Sequence, residues 1–564
     1  NYYYFDAKPG IAYDLYTTST LDTQGTLYDT DKNRLGYDDN SGLENNFAFI
    51  QSYDGRRYLK VGTKGTATGS YTLTLKKRFA IPEPVGEEGQ DSYIIRWDAI
   101  DKAKEYLVTI YNASGKIGEA IVTGTSYEYV YTNETVGRTL AFTVTPRENT
   151  MLTGEPSRKI YNTNNSSEWS YKTPMNQTRK NFSRAVCDGK LYVLGGETEE
   201  GALKSLEVYD PSKETWTLLA AYPGDLTGLC HAAMVTVGKE IYVIGGQSDT
   251  STKARITAGV YAYNTVTGTW SKKKDMAERR TKLSTALYQG KIYAFSQIGT
   301  TERVDVYDPA EDSWENHTFA NTSTIVQAFN IDGRLFVLRE ESYAGKGMYL
   351  EEYLPDTGKY DNEGTVCPFA NADRYTSGTV VNGKIYLNKE NETDQVIYYD
   401  VYTDKWGQVS VLNLRKEKAQ LQSIGEVLYS VGGTMTGFGT LDVLEALELN
   451  TVTVAKQLEV TEGEIYELQV KAGNCKEDTE YVVTIRVDAD ALAYRYVSSF
   501  MQKEAMEKKK DGIELIHYAP KRGVMVFRLR STIERGKTKE AYQSIPVKGL
   551  ADRTTTVRMQ VEEA

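Results

Sequence analysis

An all-β chain, built as a propeller of short strands between small β-sandwiches, is the fold class this sequence predicts. Three observations carry the prediction. A phrase recurs along the middle of the chain, clearest as Gly189-Lys190-Leu191-Tyr192-Val193-Leu194-Gly195-Gly196 and again from Gly238 to Gly246. Weaker copies start at Gly290, Gly333, Gly383 and Gly425, giving a period of 42 to 52 residues, the period of propellers and arrays. The third observation is compositional: 43 Tyr and 47 Gly in 564 residues, with few Leu-rich helical runs, favour strands and turns.

Each copy carries an aromatic pair. Tyr209/Trp216, Tyr263/Trp270, Tyr307/Trp314, Tyr353/Tyr360 and Tyr399/Trp406 are all seven residues apart. The first aromatic ends a strand, a polar turn follows, and the second opens the next strand. One Trp per repeat buries enough area to fill the wedge between neighbouring sheets. The Gly-Gly pair at the end of the second strand permits close backbone approach. A single such sheet cannot bury both of its faces, so the copies must stack around an axis.

These motifs resemble the kelch repeat. Six copies over residues 164–456 imply a six-bladed kelch β-propeller. Tyr161 and Trp169 stand eight apart before the first copy and read as a displaced hairpin, with the Trp169 strand closing the last blade. Closure of this kind removes an exposed sheet edge.

The flanks read as sandwiches. Residues 1–78 alternate apolar and polar side chains between strong turns. Leu27-Tyr28-Asp29, Asp38-Asp39, Tyr58-Leu59-Lys60-Val61 and Gly69-Ser70-Tyr71 are similar to the bacterial pre-peptidase C-terminal domain, a module of secreted enzymes. Residues 79–163 carry Ile95-Arg96-Trp97 and Tyr106 to Tyr111, a pairing that resembles a fibronectin type III domain. There Leu140 stands where that family has a corner tyrosine. Residues 457–564 are weakly similar to cohesin-like sandwiches of anaerobic Firmicutes, with a helix expected over Ser499–Lys510.

Bulk properties exclude several classes. At 564 residues the chain is long enough for about three or four domains. A net charge of −11 leaves no electrostatic footprint for nucleic acid. No apolar run reaches the length of a membrane span. The chain starts at Asn1 rather than Met, as removal of a leader peptide would leave it. Four Cys without a CxxC pair read as buried thiols.

The propeller funnel is the default pocket. Arg179, Arg280 and Arg415 lie ten residues before the marker Gly of their copies, and Arg374 is one residue off that place. Guanidiniums converging there would bind a carboxylate. The same arginines equally suit braces between blades. His231, in the second copy, joins them as a funnel candidate. Gly-Gly is replaced by Ser296-Gln297, Arg339-Glu340 and Lys389-Glu390 in three copies, which reads as a charged rim. Copper chemistry of the galactose oxidase kind needs two His in the propeller beside two Tyr. The chain has three His in all, and no fitting pair. No catalytic residue is assigned. Calcium is the one cofactor suggested, through the oxygen-rich turn of Asp29, Asp31, Asp38 and Asp39, although a solvated acidic turn explains the same residues.

The function expected from these features is that of a binding protein of a Gram-positive anaerobe, secreted or held at the cell surface. Its kelch propeller would recognise a glycan or a surface protein. Two alternatives stand beside it: an acidic-sugar-modifying enzyme of the sialic acid epimerase type, and a structural segment of a larger adhesin or toxin.

Overall fold

The computed structural model describes residues 1–563 apart from 8–11, 40–47, 53–54, 67, 78, 149–153, 164–166, 299–300, 321–323, 332, 342–346, 362–363, 367–374, 390–393, 402–404, 450–451, 473–479, 488–491, 495–512, 520–523, 531–540 and 551–552. Among the described residues every regular element is a strand and none is a helix. The helix expected over Ser499–Lys510 lies outside the described residues, as do Cys367, Cys475 and Arg374.

The chain divides into two compact units, 1–165 with 436–438 and 166–435 with 439–564. Unit one holds two pairs of sheets. In the first pair a four-stranded sheet (Tyr2–Ala7, Gly55–Thr63, Thr23–Tyr28, Arg34–Asp38) faces a three-stranded one (Ala48–Ser52, Ala12–Thr18, Thr72–Lys77). Alternation along the strands sends Leu27, Leu59 and Val61 of one sheet against Tyr13 and Leu15 of the other. The second pair, over 85–161, joins Tyr93 and Ile95 to Val108, Ile110, Phe142 and Val144 in one core. Trp97 meets Tyr106 edge-on with ring centroids 5.3 Å apart, the pairing expected of those two residues. Leu140 is fully buried in that core.

Among the described residues of unit two, the repeats form six antiparallel sheets of four or five strands, in chain order. The first runs Ser183–Cys187, Lys190–Leu194, Leu206–Asp210, Thr215–Leu219, and the second Ala233–Val237, Glu240–Ile244, Val260–Asn264, Thr269–Lys272. Sheets three, four and five begin at Ser284–Tyr288, Thr324–Ile331 and Tyr375–Val381. The sixth uses Gln420–Ile424, Val427–Val431 and Leu444–Glu448, and takes its fourth strand, Ser170–Lys172, from the start of the unit. Thus the strand after Trp169 pairs where it was expected, Tyr171 opposite Glu445. Tyr161 does not follow it: its short strand pairs with Ala141–Arg147 of unit one. Only the Trp half of that expected hairpin belongs to the propeller.

The aromatic pairs face each other across the outer hairpins. Tyr209 is directly opposite Trp216, and likewise for the pairs of sheets two to five, with centroids 4.9 to 5.2 Å apart. Trp216, Trp270 and Trp314 also donate their indole N–H to Thr173, Ala220 and Lys274 carbonyls of the preceding segment. The wedge cores mix adjacent sheets, as where Tyr192 and Leu194 pack with Ile241, Val243 and Tyr263.

Gly-Gly and its replacements differ for a visible reason. A Cβ on Gly195 would stand 2.0 Å from the Leu229 carbonyl, and one on Gly245 would stand 2.6 Å from that of Arg280. The following repeat's loop is seated on the bare backbone. In sheets three and four, where Gly-Gly is lost, the second strands run on as Lys291–Ile298 and Arg334–Glu341. Arg339 is fully buried there, paired with Glu302 and Glu351, so the charged rim expected at this position is an interior ion cluster.

The C-terminal strands form a five-stranded and a three-stranded sheet. The first of them, Val452–Val460, straddles the boundary expected at 456/457.

Candidate binding site at the propeller axis

The innermost strands of all six sheets contribute to one cavity of about 580 Å³. Short polar side chains stitch these strands to their neighbours. Ser183 Oγ donates to the Ala232 carbonyl at 2.6 Å, Thr236 Oγ1 to that of Val186 at 2.8 Å, and Ser284 Oγ accepts from the Ala328 amide at 2.8 Å. Gln327 and Gly378 exchange two bonds, and the Leu421 amide donates to Ser377 Oγ. First and sixth sheets meet through Arg184, whose Nε donates to the Leu421 carbonyl. These bonds satisfy strand edges that would otherwise face the axis unpaired.

At the N-terminal ends of these strands the chain turns sharply. Asn181, His231, Lys282 and Lys418 each stand two residues before an innermost strand. All four have left-handed backbone, with φ between 52° and 56°, and all line the cavity. The His231 amide donates to the Asn181 carbonyl and the Lys282 amide to that of His231, so successive repeats join around the mouth. Glu340, opposite Thr324 in register, adds one carboxylate to the cavity wall. Burial, with Lys282 nearby, pulls the His231 imidazole down to about 4, so it is neutral at physiological pH.

Deeper along the first strand, Arg184 projects into the same cavity. Its guanidinium donates to the Leu421 carbonyl at 2.9 Å, Gln420 Oε1 at 2.6 Å and the Gly378 carbonyl at 2.9 Å. All three acceptors are neutral. Among the described residues no carboxylate lies within ion-pair distance of it. Enclosure lowers its pKa to about 10, which still leaves it charged at neutral pH. Arg184 is half-buried, and a partly desolvated cation without a counter-ion attracts an anion.

The arginines singled out by spacing stand elsewhere. Arg179 is fully buried and bonded on all three nitrogens, to Glu207, the Gly195 and Ser205 carbonyls, Ser205 Oγ and Gln177. Arg280 is buried, pairs with Glu278 at 2.9 Å and also acts on the enclosed Asp305. Neither lines the cavity; each braces its own sheet, because the residue four before the strand points between strands rather than to the axis. Arg415 is exposed. Lys416, one residue later, takes the bracing position and pairs with Glu445 at 2.9 Å. Gly425 is the first residue of its two-residue turn, where Gly189 is the second, and that offset produced the slip. Of the funnel candidates, His231 is the one the structure places at the cavity.

Spacing missed Arg184, although a signal existed. Register aligns it with Met234 and Thr285, so a charge at this place is peculiar to the first repeat.

In unit one, the Asp29 carboxylate accepts from the Asp31 and Asn33 amides and from Asn33 Nδ2. These bonds hold its pKa below the usual carboxylate range and close the turn. Asp39 lies 3.5 Å from Lys64. Among the described residues no cluster of three or more His, Cys, Asp or Glu is arranged to hold a metal.

Comparison with known proteins adds the family of the repeats. A kelch model described as "KLHDC2/KLHL20/DRC7 Kelch-repeats domain" matches residues 159–296. Kelch-like protein 21 of Rattus norvegicus is 28% identical over 281 residues, 49% of this chain and 45% of that protein. Beta-scruin of Limulus polyphemus is 26% identical over 162 residues, 27% of this chain and 17% of its own. The chain spans less than half the length of these curated relatives. A solved structure titled "Structure of YjhT" is 14% identical, with a TM-score of 0.40, covering 50% of this chain and 97% of that one. The repeat phrase, the facing aromatic pairs and the matched segment agree that the chain carries kelch repeats and is built, in that part, as a kelch-type β-propeller.

Proposed function

We propose that this is a binding protein whose six sheets are the blades of a closed six-bladed propeller, and that its axial cavity holds an anionic group of the partner. One observation carries the reading: Arg184 stands charged in the cavity with only neutral acceptors. Lys282 and Lys418 at the mouth extend the same sign of field, which in a low-dielectric cleft raises the local concentration of anions. The cavity is the size of a small-ligand site. An acidic sugar at the end of a glycan fits that volume and charge, and display by the flanking β-sandwiches suits a secreted or surface protein. A protein partner offering an acidic side chain or carboxyl terminus is the second reading, favoured by the match to Kelch-like proteins.

A glycan array with the whole chain, including sialylated and uronic-acid termini, tests this. Retention of acidic termini should fall at least tenfold in Arg184→Gln and in Lys282→Gln/Lys418→Gln, and stay unchanged in Arg415→Gln. A blank array with an acidic peptide captured through the same residues would select the protein reading. Binding indifferent to all three cations would overturn the axial site.

A further inference from the structure

Unit one presents a second surface, on the four-stranded sheet ordered Tyr2–Ala7, Gly55–Thr63, Thr23–Tyr28, Arg34–Asp38. Alternation commits Phe5, Leu27 and Leu59 to the core, which puts Tyr2, Tyr4, Tyr28, Tyr37 and Tyr58 on the opposite face. Tyr4 is directly opposite Tyr58, and Tyr58 opposite Tyr28. The next row reads Tyr2, Lys60, Thr26, Tyr37 across the same four strands. Tyr2 and Tyr4 are 75% and 64% exposed, a poor use of rings that contribute most when buried.

Charges interleave with the rings. Arg56 stands 4.8 Å over the Tyr4 ring and Lys60 5.9 Å over that of Tyr2. Arg34 lies opposite Tyr28. Asp6 is the acid among them, bonded to Arg56 at 2.8 and 3.0 Å. The chain as a whole carries −11, so this face opposes the sign of the molecule bearing it. Aromatic rings and cations, rather than aliphatic side chains, fill it, with Leu35 at a bulge the exception.

We propose that this face binds an acidic polysaccharide. Tyrosine rings laid side by side at the strand spacing of roughly 4.8 Å offer successive sugar rings apolar platforms for their C–H faces. Arg34, Arg56 and Lys60 would meet the carboxylates. The face is flat and open, which suits the interior of a long chain, whereas the axial cavity of unit two suits a terminus. The two sites are independent, and failure of one leaves the other standing.

Affinity electrophoresis of the whole chain through gels containing polygalacturonate, neutral amylose or gelatin tests it. Polygalacturonate should retard the protein, and added salt should weaken the effect. Tyr4→Ala/Tyr58→Ala should lower the affinity at least tenfold, while Tyr4→Phe/Tyr58→Phe and Arg415→Gln should keep it. If the alanine pair fails to fold, Arg56→Gln/Lys60→Gln decides by the same tenfold loss. Retardation by amylose or gelatin alone, no retardation, or equal retardation of parent and both face variants would overturn the proposal.

Discussion

Arg179 Nη2 lies 2.5 Å from Glu207 Oε1, and neither side chain is exposed to solvent. The pair repeats with substitutions that keep it balanced. Lys416 and Glu445 occupy the same two places in the sixth repeat. Even the backbone agrees: the amides of Asn176 and Asn413, three residues before each cation, donate to Glu207 and Glu445. In the third repeat Arg280 acts on Asp305. The fourth repeat moves the cation. Arg339, at the place of Gly195, reaches Glu351, at the place of Glu207, with Nε 2.9 Å from Oε2. Where the second repeat lacks the acid and has Tyr261, it also lacks the cation and has Leu229.

Removing one partner of the Arg179 pair should therefore cost more than removing both. Arg179→Leu leaves Glu207 buried and unpaired, a loss of about 3–5 kcal/mol. Arg179→Leu/Glu207→Tyr imitates the second repeat and should recover a large part of that loss. Urea unfolding of the three proteins measures the difference. Equal destabilisation by the single and double variants would show that the packing of the Arg stem, not the charge pair, matters.

Gly195 and Gly238 separate two costs of substituting a glycine. Both have positive φ, 65° and 58°. A Cβ at Gly238 meets nothing within 4 Å, whereas one at Gly195 stands 2.0 Å from the Leu229 carbonyl. Gly238→Ala should cost about 1–2 kcal/mol from left-handed backbone alone. Gly195→Ala should cost clearly more, since the second repeat's loop must shift away. Thermal denaturation of both variants ranks them.

The propeller was legible because its signals are local. The Gly phrase and the aromatic pair seven apart lie within one sheet, and each fixes a hairpin whose register the fold then shows. The funnel was less legible because it is assembled across repeats. Arg179 and Arg415 are related by counting back from a glycine, yet Gly189 is the second residue of its two-residue turn and Gly425 the first, so Lys416 rather than Arg415 faces inward. Arg184 has no motif at all. Its importance comes from what surrounds it, two carbonyls and an amide from the fifth and sixth repeats, and spacing along one repeat does not report on those.

His231 gives a pH test of the mouth. Its folded pKa, about 4, lies below its ordinary 6.5, so the unfolded chain takes up a proton there that the folded chain refuses. Stability is unaffected by this group above pH 6.5 and falls as pH drops from 6.5 towards 4. Asparagine tolerates left-handed backbone, as Asn181 does in the equivalent place. His231→Asn should match the parent's urea midpoint at pH 7.5 and exceed it at pH 4.5. Parallel midpoints at both values would mean that partial enclosure at the mouth does not depress the imidazole's pKa.

Trp169 tests how the last sheet is closed. Its ring is 3% exposed, packs with Leu412, Leu428 and Leu447, and donates Nε1–H to the Ser410 carbonyl at 2.8 Å. The strand that follows, Ser170–Lys172, is the outer strand of a sheet whose other three strands come more than 240 residues later. Its removal should act on the sixth repeat and on the joint between first and last sheets together. Trp169→Ala should cost about 3–5 kcal/mol, and hydrogen exchange should quicken in Leu444–Glu448 and across the Arg184 contact to Leu421. Trp216, in the first repeat's own hairpin, provides the contrast: Trp216→Ala should loosen Thr215–Leu219 while leaving the sixth sheet protected. Exchange unchanged in Leu444–Glu448 after Trp169→Ala would show that the sixth sheet holds without its strand from the far end of the repeat array.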